Sequence, residues 1–162
     1  MKRLYTLAIA AILACSSFAA NYQHSVGMVA GLGIGVQYKH MVFDDFTIIE
    51  EFGYFTCMSN LGYSGAIDNL VLAYQGFAVE GQGITLDYYV GGQFKMGYVG
   101  NAGIDAGVMG FGAAAGIEAC MQNAPIAFSF DFRPGYAFIF NGGGVGGHLF
   151  DYSFNLGLRY RF

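Results

Sequence analysis

The C-terminal segment "FDYSFNLGLRYRF" (150–162) alternates between large apolar residues and residues that are small, polar or charged. In a β-strand, successive side chains point to opposite faces, so this segment has one oily face and one polar face. The oily face carries Phe150, Tyr152, Phe154, Leu156, Leu158, Tyr160 and Phe162. Such a strand suits either a soluble protein with an apolar core or a membrane barrel with lipid outside and a polar interior.

The same alternation recurs in four other segments, at 26–39, 84–98, 109–118 and 126–140. Every basic residue after position 20 falls on the polar row of these five segments, together with four acidic residues. The charged residues on that row are Lys39, Asp87, Lys95, Glu118, Asp131, Arg133, Asp151, Arg159 and Arg161. The apolar row of the five segments carries no charge, which indicates two sharply different environments.

Two further segments fit the pattern less well. In "FTIIEEFGYF" (46–55), Glu50 falls on the apolar row, and we expect a β-bulge there to restore the phase. The segment "LVLAYQGFAV" (70–79) is apolar on both rows apart from Gln75, so its facing stays open. Together the seven segments predict an all-β chain.

Strand length and the make-up of the polar row favour lipid over a protein core. The five clean strands run for about 10 to 15 residues, and roughly 9–11 residues cross a bilayer at a tilt. Only 11% of all residues are charged, whereas a soluble exterior carries more charge. After residue 14, no apolar run approaches the ~18 residues of a membrane-spanning helix. We predict an antiparallel transmembrane β-barrel, with a secreted soluble sandwich or lipocalin-like barrel as the alternative.

The N-terminus has the three parts of an export signal. Lys2 and Arg3 supply positive charge, residues 4–14 form an apolar core, and "SFAA" (17–20) offers small residues for cleavage. We therefore expect a cleaved signal peptide at 1–20 and a barrel domain at 21–162. Because "ILAC" is similar to a lipobox, lipidation at Cys15 is the alternative to simple cleavage.

The net charge after residue 20 argues against one class of binding partner. Removing Lys2 and Arg3 from the seven basic residues leaves five against eleven acidic residues, a formal net charge of −6. This acidity argues against nucleic acid as a partner.

Cys57 and Cys120 end strands that run in opposite directions, so we expect them at opposite rims, too far apart for a disulfide.

A chain of this size suits eight strands, and an even strand number brings both termini to the periplasmic side. The connections between the strands fall at about 40–45, 58–69, 80–83, 99–107, 121–125 and 141–147. The first, third and fifth are short and are expected to be periplasmic turns, whereas the others are expected to be longer extracellular loops. An eighth strand would arise from a break at Gly31-Leu32-Gly33 or, as a second option, at Arg133-Pro134-Gly135.

These features carry a resemblance. The export signal, the glycine-rich alternating strands, "PIAFSFDFRPGY" (125–136) and the ending "LGLRYRF" (156–162) resemble the small bacterial outer-membrane β-barrel proteins, the porin-like superfamily with OmpA-type barrels. The resemblance implies a location in the outer membrane of a Gram-negative bacterium, in contact with its lipid. It also implies that the barrel-assembly machinery engages the C-terminal strand, with Leu158, Tyr160 and Phe162 as the assembly signal.

The charges on the polar row define the candidate site. An eight-stranded barrel has a narrow lumen filled by side chains, and buried ions need partners. We therefore expect the nine polar-row charges to form an ion-pair network that closes the lumen. This predicts a monomer with a structural or surface-interaction role; the alternative is a narrow pore for small solutes or ions, and a further alternative is a lipid-modifying hydrolase.

We expect no catalytic, cofactor or metal site. His148 and Ser153 are close in sequence, but their parity puts them on opposite faces of a strand. His24 and His40 have no carboxylate or cysteine at ligand spacing. The stretch "NGGGVGG" (141–147) lacks the Lys-Ser/Thr of a phosphate-binding loop.

Overall fold

A computed structural model describes residues 23–43, 45–57, 63–101, 104–141 and 144–162, without the side chains of 57, 104, 141 and 144–149. The expected signal peptide at 1–20, including Cys15, lies outside the described residues. Within them, no helix has both the length and the hydrophobicity to cross a membrane.

The described chain is a single ring of eight strands. They are β1 (His24–Ala30), β2 (Gly33–Phe43), β3 (Phe46–Cys57), β4 (Tyr63–Glu80), β5 (Ile84–Asn101), β6 (Ile104–Met121), β7 (Ile126–Asn141) and β8 (Gly144–Arg161). Each strand pairs antiparallel with the next, and β8 pairs back with β1, so the barrel is closed. The eight-stranded antiparallel barrel predicted from the alternation is confirmed.

The eighth strand comes from a break near the N-terminus, at the first of the two predicted places. β1 ends at Ala30 and β2 begins at Gly33, with Gly31 N donating to Gly33 O at 2.9 Å. The second option is wrong, because β7 continues through Pro134, which lies opposite Tyr152 of β8.

The two ends of the barrel are distinguished by the position of the chain terminus. We call the end that holds the chain terminus the terminal rim and the other end the distal rim. At the terminal rim, His24 N donates to Phe162 O at 3.2 Å and Phe162 N donates to His24 O at 2.9 Å. β2, β4, β6 and β8 end at the terminal rim, and β1, β3, β5 and β7 end at the distal rim.

The predicted bounds of the long connections, 58–69, 99–107 and 141–147, are therefore wrong. β4, β5, β6 and β8 each run for 18 residues, so strand structure continues through 63–69, 104–107 and 144–147. These segments are rich in Gly and Ala or mix polar and apolar residues. Because small residues give little alternating signal, the sequence pattern shortens the strands there.

The bulge expected at Glu50 is also absent. Glu50 pairs with Tyr38 on one side and Leu70 on the other, and the register runs through it without a shift. Among the paired residues of these strands, β2 and β3 shift register between Met41 and Phe43 instead. Glu50 points outward and is exposed, whereas its neighbour Glu51 points inward and is 1% exposed.

Strand parity divides the molecule into an oily outer surface and a buried interior. Leu156 is 63% exposed, whereas Asn155 beside it is 5% exposed. The segment 70–79, whose facing was open, places Val71 and Gln75 inside and Leu72 outside. The outer surface therefore has the lipid-compatible character expected for a membrane barrel.

Apolar residues also fill part of the interior. A cluster in the half of the lumen towards the distal rim, here called the distal apolar cluster, consists of Val29, Phe55, Ile67, Val99, Ala106, Val108, Ala137 and Ile139. All of its members are at most 8% exposed. A second cluster, with Ile49 and Val71 among its members, packs around Tyr89 in the same interior. The lumen is thus partly a packed core.

Adjacent glycines on opposite faces of β5 test this geometry. A Cβ at Gly91 would lie 2.0 Å from Leu72 O, whereas a Cβ at Gly92 would meet nothing closer than Gly112 O at 3.7 Å. We predict that Gly91→Val forces β4 and β5 apart and lowers the free energy of unfolding by at least ~2 kcal/mol, while Gly92→Val is tolerated. The folded fraction on unboiled SDS gels and urea unfolding in vesicles check this. Equal damage from both substitutions would contradict the assigned facing.

Candidate functional site: the charged interior

The interior brings together equal numbers of basic and acidic side chains. The structure places all nine predicted charges on inward-facing positions and adds Glu51, which sequence reasoning missed. The ten residues are Lys39, Glu51, Asp87, Lys95, Glu118, Asp131, Arg133, Asp151, Arg159 and Arg161. Five basic and five acidic groups thus face one another, so the interior can neutralise its own charge.

The centre of the interior is organised around Arg133. Its guanidinium donates to Glu51 through two nitrogens, Nη1 to Oε2 at 2.6 Å and Nη2 to Oε1 at 2.7 Å. Nη2 also donates to Asp131 Oδ2 at 2.9 Å. Arg133, Glu51 and Asp131 are each 1–2% exposed. A two-pronged contact with a carboxylate is the strongest geometry open to arginine, and it fixes the orientation of both partners.

Asp131 is held by two further donors from other strands. Tyr89 donates its hydroxyl to Asp131 Oδ2 at 2.6 Å, and Asn155 Nδ2 donates to Asp131 Oδ1 at 2.8 Å. Both donors are buried, at 1% and 5% exposure. Side chains of β3, β5, β7 and β8 therefore meet in one hydrogen-bonded layer that crosses the lumen.

A second group lies towards the terminal rim, around Glu118. Lys39 Nζ lies 2.9 Å from Glu118 Oε2, and the Arg159 guanidinium contacts the same oxygen. Arg159 also donates to Gln37 Oε1, and Gln37 Nε2 donates to Glu51 Oε1. Through Gln37 the two groups form one network, since Glu51 belongs to the central layer.

The remaining predicted charges lie outside these two groups, towards one rim or the other. Lys95 and Asp151 form a buried ion pair below the distal apolar cluster. Asp87 accepts a hydrogen bond from Gln75 Nε2 at 3.3 Å, and Arg161 donates to Met121 O at 3.0 Å at the terminal rim. The network residues thus line most of the described lumen.

The residues that sequence reasoning missed are uncharged or ambiguous in the pattern. Glu51 is masked by its neighbour Glu50, since one of two adjacent glutamates must face each way. Gln37 and Asn155 sit on the polar row but carry no charge to draw attention. Tyr89 also lies on the polar row without a charge, and its hydroxyl donates to Asp131.

The C-terminal residues expected to act as an assembly signal lie on the seam of the barrel. Leu158 pairs with Met28 and Tyr160 with Val26, across β1 and β8. Leu158 is 50% exposed and Phe162 36% exposed, so this row stays accessible from outside the barrel. Its engagement by the assembly machinery remains a prediction.

The other residues considered for chemistry are scattered. His24 and His40 stack at the terminal rim with 4.5 Å between ring centroids. Ser153 lies inside the barrel and accepts a hydrogen bond from Asn155 Nδ2 at 3.2 Å, and the side chain of His148 lies outside the described residues. Cys57 ends β3 at the distal rim, whereas Cys120 is a free buried thiol near the terminal rim.

The two surfaces define the class of this protein. In lipid every backbone polar group needs a partner, and a closed barrel meets that need without a free edge. An eight-stranded ring with an oily exterior and a charged interior is the arrangement of the small outer-membrane barrels. The chain has this architecture, a closed antiparallel β-barrel of eight strands with an outer surface that suits lipid.

Comparison with known proteins finds similarity at the level of structure. No protein-family model matches the chain, and no curated protein matches it. Among solved structures, the chain is similar to the crystal structure of Ail, the attachment invasion locus protein of Yersinia pestis. The two share 14% sequence identity, the match covers 86% of this chain and 93% of that chain, and the TM-score is 0.36.

The two adjacent glutamates of β3 offer a matched test of the network. Glu51→Gln leaves Arg133 buried without its main counter-charge, and we predict a loss of about 3 kcal/mol in the free energy of unfolding. Glu50→Gln removes a charge from the lipid-facing surface, so we predict no loss and a small gain. Urea unfolding in phospholipid vesicles measures both. Similar losses in the two variants would contradict the placement of Glu51 in the network.

Proposed function

We propose that this protein is a closed, non-conducting outer-membrane barrel with a structural or surface-interaction role. The observation that supports this most is the filling of the lumen by two successive layers. The central layer of Arg133, Glu51 and Asp131 crosses the lumen, and the distal apolar cluster lies between it and the distal rim. An ion would have to break buried ion pairs and then pass an apolar constriction.

The free space between these layers is small. The cavity that borders Lys95, Asp151 and Arg133 has a volume of about 30 Å³, room for no more than a few water molecules. A larger space, about 200 Å³, lies at the terminal rim and is bordered by Lys39 and Glu118. A narrow pore, the alternative, would need the central layer to rearrange so that these two spaces join.

A catalytic role has little support among the described residues. A hydrolase needs a nucleophile with a general base within hydrogen-bond reach. Ser153 lies inside the barrel next to Asn155, and Asn155 is not a base. We therefore propose that the protein is not an enzyme. The barrel wall and the strands that extend to the distal rim would then carry out the structural or surface-interaction role.

Planar-bilayer recording tests the closed lumen. We predict that the purified, refolded barrel gives no stepwise current at moderate voltage, because the central and distal layers block the path. As a positive control for insertion, the same preparation should show a heat-dependent shift on SDS gels. Regular current steps that change in size with Arg133→Gln would contradict the proposal and establish the pore.

A further inference from the structure

The space at the terminal rim gathers a set of side chains that strand register alone brings together. This space, here called the vestibule, has a volume of about 200 Å³ and is bordered by Gln75, Asp87, Glu118 and Cys120, with Lys39 among its other neighbours. Asp87 lies opposite Glu118 across β5 and β6, and Cys120 follows Glu118 on the same face of β6. Spacing within the sequence gives no hint of this group, because Gln75 and Asp87 lie on other strands than Glu118 and Cys120.

Three potential metal ligands converge on one point of the vestibule. One ligand atom each from Asp87, Glu118 and Cys120 lies within 4.8 Å of the others. The Cys120 sulfur is 3.4 Å from Glu118 Oε1 and 4.0 Å from Asp87 Oδ2. Such separations allow one ion to contact all three atoms after a small closure, since metal–ligand bonds are about 2.0–2.3 Å long.

The two oxygens of Glu118 have different neighbours. Oε2 accepts the contacts from Lys39 and Arg159, whereas Oε1 faces the Cys120 sulfur. The carboxylate can therefore keep its place in the ion-pair network through one oxygen and present the other to the vestibule.

Gln75 supplies a second, independent observation that points to a ligand. Its side chain is 7% exposed and borders the vestibule, and its Nε2 donates to Asp87. Its Oε1 atom is buried without a hydrogen-bond partner among the described residues. A buried acceptor left alone is costly, and a cation bound between Asp87 and Cys120 would satisfy it.

We propose that the vestibule binds a divalent transition-metal ion of the zinc class through Asp87, Glu118 and Cys120, with Gln75 Oε1 as the fourth ligand. A thiolate together with carboxylate oxygens suits zinc, whereas magnesium and calcium take oxygen ligands alone. Binding replaces the S–H bond of Cys120 by a metal–sulfur bond, and the proton leaves to water in the vestibule.

Lys39 and Arg161 are opposing charges that border the vestibule, and Lys39 is the one that contacts Glu118. Its ammonium group lies beside Glu118 and borders the same vestibule, so it repels an incoming cation. Because Lys39→Gln removes this repulsion, we expect it to tighten metal binding. One unit charge a few ångströms away corresponds to about tenfold.

The experiment uses Co²⁺ as a spectroscopic probe on the mature chain refolded in detergent. A Co²⁺–thiolate bond gives an intense near-ultraviolet charge-transfer band, and added Zn²⁺ should remove that band by competition. We expect the band in the wild type, its loss in Cys120→Ser, and its retention in Cys57→Ser, the matched control at the distal rim. Asp87→Asn should weaken Co²⁺ binding by about 100-fold or more, beyond what loss of an outer partner costs.

Several results of this experiment would contradict the metal site. Absence of the band in a folded wild type, or its loss in Cys57→Ser and not in Cys120→Ser, would overturn the proposal. Weaker binding in Lys39→Gln would show that the cation sits elsewhere. A heat-dependent mobility shift confirms folding for every variant, and if Cys120→Ser does not fold, Gln75→Leu replaces it, with weaker Co²⁺ binding expected and unchanged binding as the contrary result.

Discussion

The structure depends on the need of every backbone N–H and C=O in lipid for a hydrogen-bond partner. A sheet meets that need only when it closes, and here closure rests on the short seam between β1 and β8. Six residue pairs, from Ser25 and Arg161 to Ala30 and Leu156, join these strands, and reciprocal bonds between His24 and Phe162 extend the seam to the terminal rim. The alternating C-terminal segment thus forms β8, the strand that closes the barrel against β1.

Closure in turn creates the interior and its charge problem. An outer wall that faces lipid has no use for lysine or arginine, and all five described basic side chains lie inside. Each then requires a nearby carboxylate, because an unpaired buried ion is expensive. Glu51, Glu118, Asp131 and Asp151 supply such partners from four strands, so the ion pairs cross the lumen and link strands that are distant in sequence.

Period-2 alternation was enough to predict the barrel and the facing of the five clean strands, because apolar side chains for lipid alternate with small or polar side chains for the lumen. It failed where that contrast is weak. The Gly- and Ala-rich strand ends gave no periodic signal, so the distal loops were predicted too long. With Glu50 on the apolar row, the pattern predicts a bulge that the register does not contain. The vestibule group of Asp87, Glu118 and Cys120 depends on pairing between strands, which a single sequence does not specify.

Each strand has one face that suits lipid and one face that lines the lumen. The chain contains no tryptophan, so one introduced indole reports on its own surroundings. The decisive measurement compares Phe94→Trp, on the outer face of β5, with Tyr89→Trp, on its inner face, in vesicles of lipids with brominated acyl chains. Strong quenching of the first and weak quenching of the second is the predicted result. Equal quenching of both, or a protein that stays soluble without lipid, would contradict the account.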